Sequence, residues 1–177
     1  MQMFRTIIII GTILIGVVII FRLTPRKSVL RINQEKKYFP TVTGYNLNRQ
    51  ELEFPRDFAG EFNLVFIPFQ RHHQDIVDSW IPTAQKIEAG FEGFIYYELP
   101  TLASMSTLYR TFLNEGMRAG IPNQTSRLRT ITLYLDKESF RSALDIPSEN
   151  DIYVFLVDQQ GEILWRTVGG FNQEKAD

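Results

Sequence analysis

The sequence predicts an α/β domain, a mixed sheet flanked by helices, preceded by one membrane-spanning helix near the N-terminus. Three observations carry this. Short β-rich apolar runs alternate with amphipathic helical stretches in the order β-α-β-α-β-α-β-β, which implies a sheet covered by helices. The last two strands are separated by Asp158-Gln159-Gln160-Gly161, a hairpin turn that makes them an antiparallel edge. Residues Thr6–Phe21, TIIIIGTILIGVVIIF, form an uncharged run bounded by Arg5 and Arg22.

That run has no polar face, which argues against an ordinary core helix. Sixteen residues of helix span about 24 Å, slightly under the ~30 Å core of a bilayer. Met1–Phe4 and Leu23 extend the apolar length, while Arg5 and Arg22 can snorkel to the headgroups. The FRLTPRK stretch that follows offers no small-x-small cleavage site, so residues 5–23 are expected to remain as an anchor. Arg5 and the α-amino group on one side face Arg22, Arg26, Lys27 and Arg31 on the other. The chain is expected to be a single-pass protein of the cell (inner) membrane, and the positive-inside rule places its domain on the cytoplasmic side, or the matrix side in a mitochondrion. Residues 24–37 read as a basic juxtamembrane linker, either resting on anionic headgroups at about 1 kcal/mol per exposed cation or simply solvated.

Composition narrows the chemistry. The chain has 177 residues, 44% of them hydrophobic and 22% charged, enough for one domain (residues 38–177) and a small extra element. A net charge of −1 gives no sign of nucleic-acid binding. Cysteine is absent, which removes disulfides, thiolate metal sites, Fe–S clusters and any Cys nucleophile. His72 and His73 are the only histidines, too few for an all-His metal site within one chain.

Along the domain, Phe39–Phe54 suggests a short strand or hairpin. Asn63–Phe69 is a buried-strand run that breaks into the polar turn Gln70-Arg71-His72-His73-Gln74. A helix follows over about Gln74–Ala89, carrying Pro82 inside it and ending at Gly90 and Gly93. Phe94–Leu99 is the next strand, closed by Pro100. Thr101–Ala119 reads as a second helix with Leu102, Met105, Leu108, Tyr109, Phe112 and Leu113 on a core-facing stripe. Thr130–Leu135 reads as a strand, Lys137–Leu144 as a short helix, and Ile152–Val157 with Glu162–Val168 as the final hairpin.

This order, with VDQQGEILWRTVGG near its end, resembles the thioredoxin-like fold, especially its peroxiredoxin and thiol-oxidoreductase branch. Members carry a strand ending F-x-A-x-W-C-x-x-C and a proline five residues after the second cysteine. Placing Pro82 on that proline puts Val77 at the second cysteine and Gln74 at the first, and Phe69 then falls on the strand-ending aromatic. The family's facing cis-proline aligns with Ile152, and a non-proline cis bond costs about 3 kcal/mol. Gln74, Val77 and Ile152 are therefore degenerate active-site positions. Dithiol exchange and peroxidase chemistry need a thiolate, so neither is available to this chain alone.

Val77-Asp78-Ser79-Trp80 and Ile152-Tyr-Val-Phe-Leu-Val-Asp158-x-x-Gly161-x-Ile163-x-Trp165 are similar, over roughly residues 39–171, to the assembly-factor family of mitochondrial ATP synthase. The resemblance implies an inner-membrane chaperone or scaffold that helps subunit a join the membrane sector, with no cofactor, nucleic acid or small-molecule substrate.

Other constellations carry rival readings. His72, His73 and Asp75, with Asp78, could form a metal site or an acid/base pair. The blander reading makes the histidines solvent-exposed turn residues and the aspartates partners of the helix dipole. Trp80 and Trp165 are expected in the core. Arg110, Arg118, Arg127 and Arg129 stand against Glu115 alone, and with Arg71 they are candidates for contact with a membrane-protein client. The expected function is a membrane-anchored, redox-inactive assembly factor or scaffold for a membrane complex, possibly ATP synthase. A metal-assisted enzyme at His72, His73 and Asp75, or an adaptor that holds a thiol partner, is the alternative.

Overall fold

The computed structural model describes residues 35–175, so the expected anchor at 5–23 and the linker up to residue 34 lie outside the described residues. Among those described, no helix is long and apolar enough to cross a membrane. Strands β1 (Val42–Asn46) and β2 (Glu51–Phe54) form the antiparallel hairpin expected ahead of Asn63. Its turn is built on Asn46, whose Oδ1 accepts the N–H groups of Asn48 and Gln50, both at 2.9 Å.

Strand β3 (Phe62–Ile67) runs through the centre. Buried Asn63 closes the loop before it: Gly60 N–H donates to Asn63 Oδ1 at 2.9 Å, and Asn63 Nδ2 returns a bond to the Gly60 carbonyl at 2.8 Å. Alternate β3 side chains enter two cores. Val65 and Ile67 pack with Phe39, Phe54, Tyr97 and Phe155, whereas Leu64 and Phe66 pack with Val77, Trp80, Ala84 and Val154. A strand buried on both faces has no polar side to show, which is why it reads as a continuous apolar run.

The single helix expected over Gln74–Ala89 is two: α1 (Gln74–Asp78) and α2 (Ile81–Gly90), preceded by a 3-10 turn at Arg71–His73. Pro82 lacks an N–H, and its ring would press on the carbonyl four residues back, that of Asp78, where α1 stops. In the first turn of α2 the proline is well placed, since no intrahelical partner is required there.

Strand β4 (Phe94–Glu98) lies parallel to β3. The chain then departs from expectation, because Thr101–Ala103 is a strand, β5, and helix α3 (Thr107–Gly120) begins only afterwards. Fully buried Thr101 donates its N–H to the Pro68 carbonyl at 2.9 Å, and β5 pairs in parallel with β6 (Ile131–Leu135). Those partners are distant in sequence and override the local helical spacing. The helix α4 (Gln124–Arg129) was not expected; Asn123 caps it by accepting the Ser126 N–H at 2.9 Å. Helix α5 (Lys137–Ala143), capped by Asp136, leads to β7 (Tyr153–Asp158) and β8 (Ile163–Val168).

In place of one central sheet, the strands form two four-stranded sheets, β4-β3-β7-β8 and β2-β1-β6-β5. The chain passes between them at Leu99-Pro100, beside an isolated parallel bridge between Glu98 and Thr130. The first sheet is mixed, with β3 parallel to β4 and antiparallel to β7, and β8 forms its antiparallel edge as expected.

Candidate functional site

The loop after β3, helix α1 and the start of β7 meet around Val77 and Ile152. Gln74 is exposed, and its Nε2 donates to Asp78 Oδ1 at 2.9 Å and reaches Glu98 Oε2 at 3.5 Å. Val77 and Ile152 are fully buried in one apolar cluster with Phe66, Trp80 and Val154. The one cis peptide among the described residues is Phe54–Pro55, so the bond before Ile152 is trans. At the three positions that the resemblance assigns to two thiols and a facing proline, this chain has an amide bonded to carboxylates and a dry aliphatic contact. Sequence reading did not single out Glu98, although a lone carboxylate inside the run FIYYEL was a usable signal. Burial raises its pKa, with the Asp78 charge pushing the same way and the Gln74 amide opposing.

The two histidines differ, which corrects the expectation that both face solvent. His72 is exposed, whereas His73 is fully buried. The Phe69 N–H donates to His73 Nδ1 at 3.2 Å, so the neutral ring carries its proton on Nε2. Burial, then the neighbouring His72, lowers the pKa of His73. Asp75 is exposed in the first turn of α1, and among the described residues no three His, Asp or Glu side chains converge as metal ligands.

Trp80 is buried, as expected, and Trp165 packs beside it half-buried at a ring distance of 6.3 Å. The Trp80 indole N–H donates to the Gly169 carbonyl at 3.0 Å, and the Phe171 N–H donates to Ser79 Oγ at 2.9 Å. The block Val77–Trp80 and the strand from Ile152 onward, far apart in sequence, thus form one packed unit.

The expected basic surface is mostly used internally. Arg110 lies over the Tyr134 ring, 5.0 Å from its centroid, and donates to the Met105 carbonyl at 2.8 Å. Arg127 donates to the carbonyls of Ile121 at 2.6 Å and Arg118 at 3.0 Å, closing the C-terminus of α3. Arg129 pairs with Glu88 and covers the Tyr96 ring at 4.7 Å. Glu115, read as their sole counter-charge, pairs with Arg49 at 2.8 Å instead. Arg118 is half-buried and Arg71 exposed. Half of the stripe read as core-facing is turned outward: Leu108 is 85% exposed, Phe112 75% and Tyr109 62%, whereas Leu102, Met105 and Leu113 are half-buried.

The hairpin, the mixed sheet and the helices around this loop define the class as thioredoxin-like. Two solved structures agree: a putative electron transfer protein from Aquifex aeolicus (TM-score 0.53, 15% identity, 79% of this chain and 88% of that one) and the exposed lipoprotein thioredoxin of Streptococcus pneumoniae (TM-score 0.52, 8% identity, 77% and 95%). Within that class the chain belongs to the ATP10 protein family, an ATP synthase assembly family, whose sequence profile matches residues 23–177. No curated protein matches it in sequence.

Proposed function

We propose that this chain is a membrane-anchored, redox-inactive assembly factor or scaffold that serves the membrane sector of ATP synthase. The observation that carries the reading is the replacement of all three reactive positions by Gln74, Val77 and Ile152, in a chain without cysteine and with Val77 and Ile152 packed together. A thiolate is required for disulfide exchange or peroxide reduction, and none is present to supply it. Membership of the ATP10 protein family supports assembly as the role and argues against an enzyme. The uncharged run Thr6–Phe21 supports anchoring, and the Arg and Lys residues that follow it support a cytoplasmic or matrix-side domain.

The test is affinity purification of the full chain from detergent-solubilised membranes, followed by identification of the captured subunits. A membrane-sector subunit of ATP synthase is the expected product. Recovery of no membrane-complex subunit would sink the reading. Stoichiometric zinc or iron in the purified protein, lost in His72→Ala, would replace it with the metal-enzyme alternative.

A further inference from the structure

Helix α3 is docked the wrong way round for an ordinary amphipathic helix. Its polar side meets the domain: Arg110 stacks on Tyr134, the Tyr134 hydroxyl donates to Asn114 Oδ1 at 2.8 Å, and Glu115 pairs with Arg49. A groove of about 420 Å³ runs along this inner side, and no residue of α3 is fully buried. Its outward row is Leu108, Phe112, Gly116 and Gly120 at i+4 spacing, with Tyr109 beside it. A Cβ at Gly116 or Gly120 would meet nothing within 4 Å, so the row is large and apolar at one end and flat at the other. Surface helices normally turn such a stripe to the core. This one spends its polar groups on the core and leaves Leu108, Tyr109 and Phe112 in water.

We propose that this face docks on the surface of the bilayer to which the chain is tethered. The inference rests on the reading of Thr6–Phe21 as that anchor. The 15 residues from Arg22 to Lys36 reach at most about 50 Å when extended, so the domain meets the surface intramolecularly, at high effective concentration. Leu, Tyr and Phe are suited to the interface between headgroups and chains. No charge stands on the outward row, since Glu115 is turned to Arg49. A protein partner would be given no polar group on this row to set its register, and a bilayer needs none.

The lack of cysteine makes the test direct. Leu108→Cys, Phe112→Cys and, as a control on α2, Gln85→Cys are each labelled with an environment-sensitive fluorophore in the full chain. All three positions are exposed, so the variants keep the core intact. The chains are then reconstituted into vesicles containing anionic phospholipid and lipids with brominated acyl chains. Labels at positions 108 and 112 are expected to be quenched several-fold more than the label at 85, and the difference to vanish in Phe112→Cys carrying Leu108→Asp. Equal, weak quenching at all three sites, in chains that resist an alkaline carbonate wash, would overturn the proposal while leaving the anchor intact. Burial of the 108 and 112 labels only on adding ATP synthase membrane-sector subunits, or only at high protein concentration, would also overturn it in favour of a client or a second copy. Release of the chain by the wash would instead fail the anchoring reading, and the docking proposal with it.

Discussion

At the end of β4 the Glu98 carboxyl lies buried beneath Gln74, with burial and the Asp78 charge both raising its pKa above the ordinary 4.5. A carboxyl whose folded pKa is raised binds its proton more tightly in the native state. Its stabilising contribution is therefore complete below 4.5 and is lost as pH climbs through the raised folded value. Glu98→Gln keeps the shape and the contact with Gln74 but cannot ionise. The variant should gain in urea midpoint over the parent between pH 5 and pH 8, and a constant difference across that range would remove Glu98 as the source. Glu149 works in the opposite sense: its hydrogen bond to Lys137 lowers its pKa, so its contribution is lost as pH falls. Trp80 presents a different residue-scale cost. Trp80→Ala should lose about 3–5 kcal/mol in chemical denaturation, because it opens the second core and strands the Gly169 carbonyl.

The elements are unequally secured. Strands β3 and β7 lie inside a sheet with both faces buried, whereas α3 has no fully buried residue and is attached through Tyr134 and Arg49. Local opening follows burial, so α3 amides of the protein in detergent should exchange with deuterium well before those of β3. Equal protection would mean that α3 is held by contacts stronger than these. The turn between β7 and β8 is strictly specified. Gly161 has φ +86°, and a Cβ there would stand 2.5 Å from Pro55 Cβ. Gly161→Ala should cost at least about 2 kcal/mol by thermal or urea unfolding, through backbone strain together with the clash. The pair between Arg129 on α4 and Glu88 on α2 is half-shielded and backed by the Tyr96 ring. Its coupling in a double-mutant cycle with Arg129→Met and Glu88→Gln is expected at about 1–2 kcal/mol.

For the molecule as a whole, the two sheets share one of the cores. Phe54, Ile131 and Leu133 from one sheet pack with Val65, Tyr97 and Phe155 from the other. The second core, around Val77, Trp80 and Ile152, lies across β3 from the first. Since β3 lines both, neither sheet can melt without exposing the other's apolar face, and residues 36–177 should unfold in one transition. Urea curves followed by tryptophan fluorescence, which reports the second core, and by far-UV circular dichroism should coincide. Separate midpoints would show that the β2-β1-β6-β5 sheet opens independently.

The sequence alone determined most of the element types, the antiparallel terminal hairpin and the absence of any thiol. The first two are written in short-range pattern, as continuous apolar runs and a D-x-x-G turn, and the third in composition. Proline's missing N–H was visible too, though not that it would cut the helix in two at Asp78 rather than bend it. Tertiary structure decided what depends on partners distant in the chain. Pairing with β6 turned Thr101–Ala103 into a strand, and the Phe69 N–H drew His73 inside while His72 stayed out. Tyr96, Glu88 and Tyr134 claimed arginines that had looked free. The direction of the α3 stripe belongs to the same class. Helical spacing shows that one face is apolar, but only the ring of Tyr134 and the side chain of Arg49, holding the polar face inward, turn Leu108 and Phe112 out into water.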